Sequence, residues 1–413
     1  VHELVNFSWK RNLFMLWLGC FLVSMAYTVS IPFMSIFLKE DLGVESHLEA
    51  WTGFVFAITF LASSLIAPFW GSMADKYGRK PMMLRAGICL AAAYFMYFLV
   101  QNPYQLLAAR AVEGLLAGYI PSAIALIATN TPEKQVGYAL GIISTATAAA
   151  AIMGPLAGGV ISHFVGTRET FFVAGLMVLI AFLIALFWVK EPSFTKPEGK
   201  RSTVANDLKE AARNRSLMIT LMIVFITTTS VMIVEPLLTI YVLKLGSSAS
   251  SASLNAGIIF SAVGVATLIA APQWGKLGMR IGYEKVLIIG LMGGAIGNLL
   301  QILFHSLIGF GSLRFGYGLF FAAVFPALNA LIAQNTDHAF RSRAFSLNQS
   351  ASAMGLMMGP LLGGMLGSQI PITAVFVITG VFLFSIALLL RVPKFSIIRK
   401  PSPAAATSKE LSQ

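Results

Sequence analysis

The chain has 413 residues, of which 57% are hydrophobic and only 11% charged, with a formal net charge of +12. A soluble protein carries roughly twice that charged fraction, so the composition excludes a soluble globular domain and points to a polytopic membrane protein. The two cysteines, Cys20 and Cys89, sit inside apolar runs and exclude a disulfide framework, and the positive charge crowds into alternate loops, which argues for membrane orientation and against a nucleic-acid partner.

Crossing a bilayer takes about 20 apolar residues. Twelve such stretches follow one another, near 13–38, 51–74, 82–101, 104–129, 137–164, 170–189, 216–243, 254–274, 286–304, 308–334, 345–367 and 372–390. The first is too long for a signal-peptide core and lacks a small-residue cleavage site, so it is expected to be retained as a span. The chain then divides into a six-helix unit (1–189), a charged linker (190–215), a second six-helix unit (216–392) and a Pro-, Ser- and Ala-rich tail (393–413) expected to be disordered. Within the linker, residues 206–213 suit a short amphipathic helix on the inner surface.

An even number of spans puts both termini on one side. If that side is the cytoplasm, the outside loops hold only Lys39, Arg168 and Lys244, and Arg110 and Arg314 lie within spans. Every other Lys and Arg falls inside, so the termini are expected to be cytoplasmic.

The two units repeat one another. Gly154-Pro155-Leu156-Ala157-Gly158-Gly159 returns as Gly359-Pro360-Leu361-Leu362-Gly363-Gly364, half a chain later. Pro32 matches Pro236, Trp70-Gly71 matches Trp274-Gly275, and Arg110 matches Arg314. A duplicated apolar unit implies two parallel bundles with a substrate path between them. The small residues at every fourth place in spans five and eleven let helices pack backbone to backbone, and Pro155 and Pro360 bend each helix at corresponding depth.

The loop after span two runs from Gly71 to Pro81. It holds Gly71 and Gly78 for a tight turn, Asp75 as an acceptor able to pair with Arg79, and Lys80. This reads as a latch between helices on the inner face, or else as a plain positive-inside hairpin. Its second copy keeps the glycines and replaces the acid with Met279, so the charged latch belongs to the first unit.

Ionisable groups deep in a span are costly, roughly 2.5–3.5 kcal/mol at the helix centre on insertion scales, and they mark function. Four stand here: Arg110, Glu113, Glu235 and Arg314. Arg110 and Glu113 share a helix face and can pair, as a proton-dependent relay or as a static tether. Glu235 has no basic residue within a helical turn, and its counterpart in the first unit is Ile31, so folding of the repeat does not require it. It is a candidate proton carrier, the alternative being a carboxyl that reaches to the outer surface. Pro236 beside it is expected to loosen the helix.

These residues resemble the major facilitator superfamily, and within it the twelve-span drug:proton antiporters. The loop Gly71–Pro81 resembles the superfamily's motif A, Arg110 with Gly114 its motif B, and Gly154–Gly159 its antiporter motif. The resemblance covers essentially the whole chain. It implies an all-α integral membrane fold of twelve transmembrane helices in two pseudo-symmetric six-helix bundles. Asp75 would brace the outward-open state, Arg110 would serve proton coupling, and Gly154, Pro155, Gly158 and Gly159 would form the antiporter seam. Motif B usually has Gln where this chain has Glu113, which leaves open which acid carries the proton.

The expected function is export of drug-like, apolar or cationic small molecules across a bacterial cytoplasmic membrane. A proton gradient would be the energy source, with no cofactor, no metal and no nucleic acid, and the protein would work as a monomer surrounded by lipid. By analogy with the fold, spans one, four, seven and ten would line the cavity, with Tyr27, Met34, Met232, Glu235, Phe325 and Asn329 as candidate lining residues. The alternatives are a proton-coupled transporter of one metabolite and a non-transporting membrane receptor. An enzyme is not expected, because no histidine pairs with Cys or Ser at motif-like spacing and no phosphate-cradling loop is present.

Overall fold

A computed structural model describes residues 9–132, 135–192, 204–337 and 340–392. The expected tail and the middle of the linker (193–203) lie outside the described residues. Among the described residues no strand occurs, as a lipid-embedded chain requires when each segment must satisfy its own backbone.

The first bundle holds α1 (Trp9–Val29), α2 (Met34–Ile36) with a π-helical turn (Phe37–Asp41), α3 (Leu48–Tyr77), α4 (Arg79–Leu99), α5 (Pro103–Leu116), α6 (Tyr119–Asn130), α7 (Val136–Phe164) and α8 (Thr167–Trp188). After α9 (Val204–Arg213), which covers the expected amphipathic helix, come α10 (Arg215–Lys244), α11 (Ala249–Ile281), α12 (Tyr283–Leu300), α13 (Leu307–Phe321), α14 (Val324–Gln334), α15 (Arg341–Gln369) and α16 (Ile372–Leu389). Among the described residues eleven helices or helix pairs are long and apolar enough to span a membrane. The twelfth, α15, is 29 residues long but diluted by Gly, Ser, Asn and Gln. It packs between α10 and α3, so protein rather than lipid takes up much of its surface.

Spans four and ten each divide into two helices, α5–α6 and α13–α14. The first break falls at Ala117–Gly118, where Gly118 has φ 137°, a conformation open to glycine. Arg85 closes it by donating from its guanidinium to the Leu116 and Ala117 carbonyls at 3.2 and 3.4 Å, while stacking 3.5 Å from the Trp70 ring centroid. The turn between spans three and four is short because Asn102 caps α5, accepting from Gln105 N–H at 2.9 Å, with Pro103 in the first turn.

The two matched prolines behave differently. Span one stops at Val29 before Pro32, and Thr28 and Ser30 hydroxyls take up nearby carbonyls. Span seven runs unbroken through Pro236. The expected loosening therefore appears at Pro32 rather than beside Glu235.

The duplication is visible in matching contacts. Trp70 Nε1 donates to Leu115 O at 2.7 Å, and Trp274 Nε1 to Leu319 O at 2.7 Å. Gly154 and Gly158 meet Thr28 and Val29 of α1, and Gly359 and Gly363 meet Met232 and Ile233 of α10. The bundles join along two seams, α3 against α15 and α7 against α11. Contacts across them gather toward the end where α3 begins and α10 finishes. There Gly53 meets Pro360 and Gly364, and Lys244 Nζ lies 3.5 Å from Glu49 Oε1. On the other seam Gly159 meets Ser253, and Ser261 Oγ donates to Ile152 O at 2.6 Å.

Candidate functional site

Two buried arginines organise the centre of the molecule. In the first bundle Arg110 is 1% exposed and Glu113 3%. Arg110 Nη1 donates to Glu113 Oε2 at 2.9 Å, and Tyr97 Oη donates to the same oxygen at 2.5 Å. Arg110 Nη2 reaches Ser30 Oγ at 3.3 Å and Met34 Sδ at 3.9 Å, at the break in span one. The Tyr97 ring lies 4.8 Å beneath the guanidinium. The i,i+3 spacing brings the pair together as expected. The sequence reading had missed Tyr97 and Ser30, which complete its enclosure.

In the second bundle Arg314 is 7% exposed and lines a cavity of about 220 Å³ between the bundles. Glu235 lines the same cavity, with Ser230, Asn298 and Tyr317 as further polar groups and Ile31, Val231, Val234, Phe260 and Val263 as apolar wall. Thr28, Ala151 and Pro155 close it from the first bundle. No hydrogen bond or ion pair joins Arg314 or Glu235 to another described residue, although their charges act on each other. Arg314 Nε is buried without a partner, and its guanidinium lies 5.4 Å from the Tyr317 ring. Behind the cavity Asn298 Nδ2 donates to Thr379 Oγ1 at 3.4 Å, and Gln301 Nε2 donates to Asn298 Oδ1 at 3.2 Å.

The wall departs from the expected set of spans one, four, seven and ten. Spans five, eight and nine contribute and span four does not, because Arg110 and Glu113 turn into the first bundle and are sealed there. Of the candidate lining residues, Glu235 faces this cavity. Met34 is buried under Arg110, Tyr27 packs edge-on to Phe60 at 6.0 Å, and Met232 lies against Gly359. Phe325 is exposed beside Phe321, and Asn329 accepts from Asn348 Nδ2 at 3.1 Å.

At the α3–α4 corner Gly78 has φ 102° and joins the two helices. Gly71 has open space around it. The Asp75 side chain lies outside the described residues. The acid seen in the corner is Glu191, just past α8, which accepts from the backbone N–H groups of Arg79 and Lys80 at 3.1 and 2.9 Å. A carboxylate there satisfies free donors at the start of α4 and faces the positive end of its dipole. Lys80 Nζ donates to Leu186 O at 3.1 Å, and Arg79 Nη1 reaches Thr129 Oγ1 at 3.5 Å. The sequence signal for Glu191 was an acid directly after the sixth span, beside Pro192.

The antiporter-type segment has two faces. Gly154 and Gly158 face α1, where a Cβ would fall on the Thr28 side chain and the Val29 backbone. Gly159 faces Ser253 of the other bundle, and the Pro155 carbonyl lies against Gly257.

Residues 16–256 and 223–412 match the Major Facilitator Superfamily model. The chain is 40% identical over 386 residues to the multidrug resistance protein MdtG of Proteus mirabilis, covering 92% of this chain and 94% of the relative. It is 39% identical over 384 residues to MdtG of Escherichia coli, covering 92% and 93%. Among solved structures it resembles the nucleoside transporter NupG, with TM-score 0.76 and 15% identity over 91% of this chain and 97% of that one. It also resembles an inward-facing, occupied bacterial homolog of the lysosomal transporter Spinster, with TM-score 0.76 and 15% identity over 95% and 98%. The internal duplication, the paired bundles and the matched family model agree: the chain belongs to the major facilitator superfamily.

Proposed function

We propose that this protein exports drug-like, amphipathic small molecules across the bacterial cytoplasmic membrane in exchange for protons. The observation that carries this reading is Glu235, a membrane-embedded carboxyl without an ion-pair partner among the described residues, in a cavity between the two bundles. The relatives named as multidrug resistance proteins support the substrate class. With the Lys- and Arg-rich loops inside, the end closed by Glu49, Lys244, Gly53 and Gly364 is the outer one, and the cavity is sealed from outside.

A proton arriving at Glu235 removes its charge and with it the attraction toward Arg314, which alters the balance between the two arrangements of the bundles. Rocking along the glycine seams then opens the outer end. Glu113 is held by Arg110 and Tyr97, so Glu235 is the acid that exchanges its proton while Glu113 holds the first bundle in register. The proton gradient supplies the energy, the protein acts as a monomer with its termini in the cytoplasm, and Asp75 with Arg79 and Lys80 braces the inner corner.

Inverted vesicles loaded with a pH probe test this reading with a fluorescent dye substrate. Wild-type protein accumulates dye and releases protons when dye is added, and Glu235→Gln does neither. Dye accumulation that survives collapse of the pH gradient, or that is unchanged in Glu235→Gln, refutes it.

A further inference from the structure

Two opposite charges in one small, largely apolar chamber ordinarily pair with each other, because an unpaired buried charge is costly. Here Glu235 and Arg314 line the same cavity without forming an ion pair. Arg314 is more than nine-tenths buried, no hydrogen bond from its guanidinium reaches a described residue, and its Nε is wholly enclosed. The chamber therefore offers a fork of donors at one place and an acceptor at another, with apolar wall between.

We propose that the chamber binds a compact dipolar molecule, one that presents an acidic group to Arg314 and an ammonium or other donor to Glu235. A guanidinium fork suits a carboxylate or similar oxyanion. Asn298 and Tyr317 add polar edges beside it, and Phe260 and Val231 accept the apolar body. The volume of about 220 Å³ lies below the roughly 300–1,000 Å³ of pockets that take drug-sized ligands, which favours a compact skeleton. A ligand with only a cationic group would leave Arg314 unanswered, and one with only an acid would leave Glu235 so.

This inference rests on the reading of the chamber as the transport site, but its test needs no gradient and no transport. Isothermal titration of the full chain in detergent at neutral pH compares four probes of one skeleton: para-(aminomethyl)benzoate, para-toluate, para-methylbenzylamine and para-toluamide. The dipolar probe is expected to bind about tenfold more tightly than either singly charged probe, the worth of one charge-assisted hydrogen bond. Arg314→Gln should bring it down to the level of the amine, and Glu235→Gln to the level of the acid. The probe ranking on unmodified protein decides the matter even if a variant fails to fold. Equal binding by the amide, a singly charged probe binding as tightly as the dipolar one, or no binding of the dipolar probe at millimolar concentration overturns the proposal. Dye export driven by protons would stand in that event.

Discussion

Arg110 and Arg314 occupy the same place in the two copies of one bundle, yet their surroundings are opposite. Arg110 is met by Glu113, Ser30 and Met34 and covered by Tyr97. Tyr317 stands where Glu113 does, Gln301 where Tyr97 does, and Val234 where Ser30 does, so Arg314 has lost each partner and faces a cavity. Its one acidic neighbour in the cavity, Glu235, takes the place of Ile31. Duplication supplied two equal scaffolds. Divergence sealed the polar cluster of one and opened that of the other.

The contrast predicts different costs for the same substitution. Removing one member of a buried pair typically costs about 3–5 kcal/mol, because the remaining charge is left without compensation. Arg110→Ala should therefore cause a large drop in thermal stability in detergent, and Arg110→Ala with Glu113→Gln should recover much of it. Arg314→Ala breaks no hydrogen-bonded ion pair, so it should destabilise less than Arg110→Ala, while proton-driven export falls to background. Equal destabilisation by the two alanines would end the distinction.

Glycine neighbours sharpen the comparison at the next level. Gly158 is pressed against its own bundle at Val29, and Gly159, one residue on, against the other bundle at Ser253. Gly158→Ala should destabilise the first bundle by roughly 1–3 kcal/mol, the usual cost of overpacking. Gly159→Ala acts on a contact that parts when the seam opens. It should leave unfolding of the bundle almost unchanged and lengthen spin-label distances between the loops at Glu45 and Ser247. A Gly159→Ala variant with wild-type distances would show that the seam does not close on this residue.

Sequence reasoning reached the fold because lipid imposes it. Span length and the repeated Gly-Pro segment are one-dimensional signals, and each has a matching element in the structure. The Arg110–Glu113 pair was legible for the same reason, since three residues on one helix set the distance. Arg314 and Glu235 were legible as buried charges, but their shared cavity was not. They stand on different helices, and no local spacing brings them together. Glu191 escaped for the same cause, being 112 residues away in sequence from the Arg79 amide it satisfies. Span four was expected to line the cavity by analogy with the fold, and Glu113 and Ser30 instead hold its arginine inside the first bundle.

The corner capped by Glu191 gives a smaller test. Glu191→Gln keeps a hydrogen-bond acceptor near Arg79 and Lys80 but removes the charge opposed to the α4 dipole, a difference of about 0.3–1 kcal/mol. Turnover should fall modestly while folding persists. The second bundle has Met279 where Asp75 stands, so changes at its corner, such as Lys276→Gln, should affect turnover less. The dye-accumulation rate in vesicles measures both, and a larger loss from Lys276→Gln would reverse the assignment of the charged latch to the first bundle.

The smallest effect is expected where the two seams differ at their closed end. Glu49 of α3 and Lys244 at the end of α10 face each other beside the α3–α15 seam, whereas the matching places beside the α7–α11 seam hold Ser253 and Glu40, so this ion pair stands at one seam. Lys244 is 55% exposed along its side chain, and an exposed pair contributes about 0–1 kcal/mol. That range is enough to change a two-state population by at most about fivefold, and high salt screens it. Lys244→Gln should therefore raise the fraction open at this end slightly, as read from the same spin-label distances. Added salt should move wild type toward the variant and leave the variant where it is. A salt response of equal size in Lys244→Gln would place the sensitive charge elsewhere.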